Sequence, residues 1–381
     1  MPVAPVAWRP DILDGFSCTD LPLVPDARAV GEPETAVGGV LVRRDHDRPV
    51  PEWTLPYAPR ADDHSQWTDG HSRLTEGHVS RGVDPVRRAD DHHAVRAGDP
   101  ASRTRGHRRA AVLYLHGWND YFFQAHVADF WARLGYDFYA LELRRYGRAL
   151  RPGQLFGYID DLGDYSREID DAVAVLRAEG HDTLVLMGHS TGGLTGALYV
   201  DAHPGVFEAV VLNSPWLELS GNPVLRQVVS RVVTGAARMA PTTVLPIADQ
   251  GFYRRTILAS EDGEWAYDTT WKRPNAPIRL GWGRAIVQGQ ERVAAGLGIE
   301  VPVIVLCSDH SATGTTWSDD MARADTVLDA DGIARRAPYL GRQVTVVRIH
   351  DGLHDLTLSP PPVRAEFFGA VGTWVAAYCE L

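Results

Sequence analysis

The chain has 381 residues, 44% of them hydrophobic, and a formal net charge of −11. That is enough material for one large α/β domain with an inserted subdomain, or for two domains, and the acidic balance argues against nucleic acid, whose phosphates demand clustered Lys and Arg. Cys18, Cys307 and Cys379 lack metal-type spacing, Met1-Pro2-Val3-Ala4-Pro5 lacks the features of a secretory leader, and no apolar run is long enough to span a bilayer, so a cytoplasmic protein without cofactor is expected.

Phe16–Leu23 and Ala36–Arg43 read as short strands, an opening antiparallel pair within a first region, 1–44. From 45 to 109 the composition shifts to Pro, His, Asp, Arg and Gly. His64, His71 and His78 recur every seven residues, and His92, His93 and His107 follow. Imidazoles are common metal ligands, but without Cys or a tight His pair the run reads as a solvated insertion, and no metal is expected.

From Ala110 the pattern becomes regular. Ala110–Leu115 reads as a buried strand, Phe122–Leu134 as a helix and Asp137–Leu143 as a strand. Asp164–Ala178 is an amphipathic helix with Ile169, Val173 and Leu176 on one face, followed by strands Thr183–Met187 and Glu208–Asn213. Apolar strands alternating with helices predict a parallel sheet covered on both faces over 110–216. The alternation stops over 217–300, a stretch rich in Trp, Arg and Pro, as an inserted cap would be. Its stripe Val224, Leu225, Val228, Val229, Val232 and Val233 is expected to be the cap's packing face, with docking on a membrane as the alternative. Over 301–381 come strand Val301–Leu306, helix Ala330–Leu340, strand Gln343–Ile349 and helix Val363–Tyr378. The expected architecture is a mostly parallel central sheet flanked by helices, with a helical cap inserted after the sixth strand.

The chemistry centres on Gly188-His189-Ser190-Thr191-Gly192, placed between a strand and a helix. Strand, tight turn and helix is the geometry that lifts a serine hydroxyl above the end of a parallel sheet, and the glycines make room for it. Ser190 is therefore a candidate nucleophile. A serine needs a base, and His354 fits, on a loop after a late strand; His350 is the rival but sits at the strand end. A carboxylate should orient that imidazole. Asp309 directly follows a strand, whereas Asp325 heads a turn 29 residues before His354, and both remain candidates from the residues alone. Backbone amides of Thr191, after the nucleophile, and of Trp118, in His116-Gly117-Trp118-Asn119-Asp120, are the expected oxyanion donors.

These marks, with Leu141-Glu142-Leu143-Arg144-Arg145-Tyr146-Gly147-Arg148, Asp325-Thr326-Val327-Leu328-Asp329 and Gly352-Leu353-His354, resemble the α/β-hydrolase superfamily from about Ala110 onward. The likeness is to its monoacylglycerol lipase and lysophospholipase-like group, also called the serine aminopeptidase type. The resemblance implies Asp325 rather than Asp309 as the acid. The sequence departs from the group's usual pattern at Glu142, Ala149 and Thr191, where Asp, Ser and Met are common, and none of these removes a catalytic group.

The expected function is hydrolysis of a lipid-like or aromatic carboxylic ester, a small-molecule substrate, through an acyl-enzyme. Tyr121, His189 and Trp216 are expected in the pocket. Amide or peptide hydrolysis and acyl transfer use the same constellation, and a noncatalytic hydrolase-fold binding protein is the reading from a different class.

Overall fold

The computed structural model describes residues 6–22, 24, 29–51, 109–219, 221, 223–247 and 249–379. The histidines from His64 to His107 lie outside the described residues. Among those described, nine strands form one sheet in the order β1-β2-β3-β5-β4-β6-β7-β8-β9. Strands β1 (Arg9–Pro10), β2 (Phe16–Asp20) and β3 (Val40–Arg44) are antiparallel, and β3 pairs antiparallel with β5 (Asp137–Glu142). The rest is parallel: β4 (Ala110–Leu115), β6 (Thr183–His189), β7 (Ala209–Asn213), β8 (Val303–Ser308) and β9 (Val344–Ile349).

Every residue of β4, β6, β7 and β8 is buried, which is why these strands read as continuous apolar runs. Side chains alternate across the sheet: Ala111, Leu113 and Leu115 of β4 join one core, Ala110, Val112 and Tyr114 the other. Helices α1 (Ala125–Arg133) and α8 (Pro361–Tyr378) contribute Phe130, Trp131, Phe367 and Phe368 to the second core. Helix α2 (Ser166–Ala178) puts Ile169, Ala172 and Leu176 into the first. Helix α3 (Thr191–Ala202), entered directly from β6, is buried from Thr191 to Val200.

Helix α1 begins three residues later than the periodicity predicts. The amide of Phe122 donates to Glu142 Oε1 (3.0 Å) and that of Phe123 to Gln124 Oε1 (3.0 Å), so side chains hold this stretch out of a helix. Glu142, at the end of β5, is fully buried and also ion-paired to Arg148, whose guanidinium reaches Asp11 as well. Glu142→Gln is expected to lower stability by about 3 kcal/mol, because it leaves a buried Arg148 short of a counter-charge. Thermal unfolding measures this; a shift within about 0.5 kcal/mol of wild type, the range of an ordinary surface change, would show the pair to be energetically idle.

The cap enters after the seventh strand rather than the sixth. The extra strand is the two-residue pairing of Arg9 and Pro10 with Cys18 and Ser17, too short to leave a periodicity in the sequence. Helices α4 (Pro223–Met239), α5 (Phe252–Ile257) and α6 (Leu280–Ala295) make up the inserted region. Helix α6 sends Trp282, Ala285, Ile286 and Val293 into the first core, alongside Leu194 and Leu198 of α3. The α4 stripe is not the inward face expected: Val228, Val229 and Val232 are exposed, and Val233 is the member set against Gly283 of α6. The side chains of Val224 and Leu225 lie outside the described ones. Among the described residues no helix is long and apolar enough to cross a membrane.

After β8 the chain makes an excursion and returns on itself. The amide of Asp325 donates to His310 O (3.2 Å) and that of Ala312 to Asp325 O (3.1 Å), an isolated bridge that closes the excursion at its base. Within it Met321 and Ala324 pack with Ala312 beside Phe252 and Trp317. Helix α7 (Ala330–Arg336) then leads to β9.

Candidate active site

Ser190 stands between β6 and α3 with φ 55° and ψ −117°, a conformation that side-chain-bearing residues rarely adopt. Close packing holds it there. A Cβ at Gly192 would run into the backbone of Leu115 and His116, and one at Gly188 would come within 2.8 Å of Gly192 O. The hydroxyl is thereby presented at the carboxyl end of β6 and the amino end of α3, where the first helical amides have no intrahelical acceptor.

His354 Nε2 lies 3.1 Å from Ser190 Oγ, and His354 Nδ1 lies 3.0 Å from Asp325 Oδ2. All three residues are buried. Asp325 Oδ1 accepts from the amides of Val327 and Leu328, both at 2.8 Å, which aims the other oxygen at the imidazole. The bridge at the base of the excursion is what delivers Asp325 to the end of β8.

Asp309 is engaged elsewhere. Its Oδ1 lies 2.6 Å from His310 Nδ1 and its Oδ2 2.7 Å from His350 Nδ1, in a partly exposed cluster. His310 Nε2 faces Asp320 at 3.4 Å, His350 Nε2 faces Asp351 at 3.6 Å, and Arg348 donates to the Asp309 carbonyl. Glu366 also lies near His350. Hydrogen bonding to Asp309 raises both imidazoles above their usual value. Partial burial acts to raise the Asp309 carboxyl, but the bonds from His310 and His350 outweigh it and hold it low.

Raised histidines stabilise the fold below their unfolded value of about 6.5 and lose that contribution as pH rises through the folded values; the lowered carboxyl contributes above about 3.9 and loses it as pH falls. The cluster therefore stabilises between those limits. The double variant His310→Asn/His350→Asn is expected to melt below wild type at about pH 5.5 and level with it at about pH 8.5. A melting gap equal at both values would contradict this assignment.

The loop after β4 carries Trp118. His116, at its start, is buried; its Nε2 accepts from Leu143 N (3.2 Å) and its Nδ1 lies 2.8 Å from Gly117 O, a pattern that suits one neutral tautomer. Burial pushes its pKa down to about 4. Beyond Trp118 the loop is fastened to the cap. Asn119 bonds both the amide (3.0 Å) and the carbonyl (2.8 Å) of Arg273, Tyr121 Oη accepts from Asp268 N (2.7 Å), and Lys272 Nζ lies 3.0 Å from Asp120 Oδ1. Asn119 has φ 52°, which asparagine tolerates better than most residues.

A cavity of ≈ 370 Å³ opens over Ser190 and His354. His189 lines it, its ring 4.9 Å from that of His354. Tyr121 and Trp216 do not line it. Tyr121 is buried against Phe123 and Trp271 with its hydroxyl spent on the cap, and Trp216 packs on Trp282. Aromatic rings here fill the cap's own core before they offer surface to a ligand. The lining includes apolar side chains, Ile247, Ala276, Ile278 and Val327, and cationic ones, Arg254, Lys272 and Arg273. The cationic residues were not foreseen from the sequence, although one signal was available: Lys272 is the only lysine in the chain.

Asp120, His189 and Asp355 are close enough for one metal ion among the described residues. Their chemistry does not fit one. Asp355 Oδ1 accepts from Asn213 (2.7 Å) and Thr357 (2.7 Å), its Oδ2 faces Gln124 (3.4 Å), and Asp120 already has Lys272. These contacts tie Asp355, the residue after His354, to the end of β7 and to Gln124 before α1, and Asp120 to the cap.

Residues 106–315 match the family described as "Serine aminopeptidase, S33". The monoacylglycerol lipase of Mycolicibacterium smegmatis is 31% identical over 205 residues, 53% of this chain and 70% of that protein. The AB hydrolase superfamily protein YisY of Bacillus subtilis is 33% identical over 102 residues, 26% of this chain and 35% of that protein. The solved structure of the Paleococcus ferrophilus monoacylglycerol lipase shares the fold at a TM-score of 0.50 and 18% identity, over 71% of this chain and 97% of that one.

Proposed function

The chain belongs to the serine aminopeptidase S33 family and is a lipase- and esterase-like α/β-hydrolase, and from that premise we propose that it cleaves a carboxylic ester through an acyl-enzyme on Ser190. One observation carries the reading: a single buried imidazole lies within hydrogen-bond reach of a strained serine on one side and of a buried carboxylate on the other. His354 Nε2 takes the proton of Ser190 as Oγ attacks the ester carbon, and returns it to the departing alcohol. Asp325 keeps the other imidazole proton on Nδ1 and stabilises the imidazolium. The amides of Thr191 and Trp118 donate hydrogen bonds to the carbonyl oxygen as negative charge develops on it. Water, deprotonated by the same imidazole, then releases the acid and restores the serine.

The apolar residues of the cavity lining suit a lipid-like or aromatic portion of the substrate. Aminopeptidase action is the less suited alternative. A free substrate ammonium would call for a carboxylate, whereas three of the cavity's side chains are cationic, and its one acidic member, Asp249, accepts from Gly251 N (2.8 Å). Acyl transfer shares the first half of the mechanism. The test is a panel of neutral p-nitrophenyl esters with acyl chains of graded length, run beside amide analogues, together with labelling by a fluorophosphonate. Turnover of the esters above the amides, with label on Ser190, is expected; an unlabelled protein without ester turnover would leave a noncatalytic scaffold.

A further inference from the structure

The positive charges of this chain are arginines with one exception, Lys272. That exception is buried in the wall of the cavity that holds Ser190 and His354. An ammonium is a compact charge with three donors, where a guanidinium is a planar fork that needs more room, so the two are not interchangeable at a tight site. Asp120 engages Lys272 at 3.0 Å. The rings of Tyr253 and Tyr267 stand 5.6 Å and 5.9 Å from its nitrogen.

The neighbouring groups are also donors. Arg273 has its backbone clamped by Asn119, its Nε on Thr270 O (3.1 Å), and its guanidinium over Phe156; among the described residues no carboxylate pairs with it. Arg254 is paired with Glu261 at 2.6 Å, yet its Nε is buried without a hydrogen-bond partner among the described residues. The same is true of Tyr253 Oη, whose ring meets that of His354 edge-on. A buried donor left unmatched costs free energy, and two of them lining one cavity with two further cations call for a ligand rich in acceptors.

We propose that Lys272, Arg273, Arg254 and the Tyr253 hydroxyl form an anion subsite, so that the preferred ester carries a carboxylate or phosphate a few bonds from its scissile carbonyl. This rests on the ester-hydrolase reading above and sharpens it. The substrate is amphiphilic: its apolar part faces Ile247, Ile278 and Val327, and its anionic group faces the donors beside Trp118. Carboxylate and phosphate share the chemistry that this wall recognises.

The test compares mono-p-nitrophenyl glutarate with the neutral p-nitrophenyl valerate of similar length. Wild type is expected to favour the anionic ester by about tenfold or more in kcat/KM, the size of a charge-assisted hydrogen bond. Arg273→Gln keeps the backbone clamp, and is expected to lower kcat/KM for the anionic ester far more than for the neutral one, erasing most of that preference. Lys272→Arg keeps the charge and changes the shape, and is expected to lose the preference as well. Equal kcat/KM for both esters in wild type, or equal losses on both in each variant, would overturn the subsite and leave Lys272 as a structural partner of Asp120. Because the chain has a single lysine, ¹⁵N-lysine labelling gives one ammonium signal, which glutarate, phenyl phosphate and a neutral diester can each be titrated against. A shift with the anions alone supports the subsite even if no ester is turned over, an outcome that would sink only the hydrolase reading. A larger shift with one anion names the headgroup, and no shift with either counts against the proposal.

Discussion

Ser190→Ala is expected to lower kcat for p-nitrophenyl butyrate on the order of 10⁶-fold, with the melting temperature close to wild type. Serine, histidine and carboxylate act as one unit, so losing the nucleophile leaves only the oxyanion donors and binding, which together retain about 10³- to 10⁴-fold over water. The hydroxyl makes one recorded side-chain bond, to His354, and the strained backbone around it is held by glycine packing rather than by Oγ, so the fold does not depend on it. Fluorophosphonate labelling should vanish in the same variant. Activity retained within tenfold would remove Ser190 from the mechanism and with it the acyl-enzyme.

Asp325→Asn is expected to cost about 10⁴-fold in kcat, because an amide in that position favours the wrong imidazole tautomer while leaving the geometry intact. Asp309→Asn, at the other candidate acid, should leave kcat within about twofold, since its charge serves the partly exposed His310 and the exposed His350. The pair of variants separates the two assignments in one assay. If Asp309→Asn proved the more damaging, the residue contacting His354 would have to change during turnover.

The central strands were legible because burial on both faces writes a continuous apolar run, and Ser190 because its turn cannot form without glycines on either side. His354 followed from its place after the last parallel strand. Asp325 was not legible from position alone: hydrogen bonds between segments far apart in sequence, not local pattern, carry it back to the end of β8. The cap was the least legible part. Val228, Val229 and Val232 of its stripe face outward although their spacing suggests a packing face, and its tryptophans are packed on one another and on core residues. Expecting Tyr121 and Trp216 in the pocket followed aromatic content, whereas the cavity lining includes Lys272 and Arg273, two charged residues in a segment without regular structure.

The closed base of the β8 excursion makes residues 312–324 a pendant whose length is decoupled from the residue it returns to. Such a pendant is free to grow, shrink or be exchanged while the acid keeps its aim, because Val327, Leu328 and the strap at His310 fix that aim from outside it. What an exchange would alter is the seam with Phe252, next to Tyr253 and Arg254 in the chain. Diversity in that pendant would therefore retune which molecules are admitted without rewriting the bond that is broken.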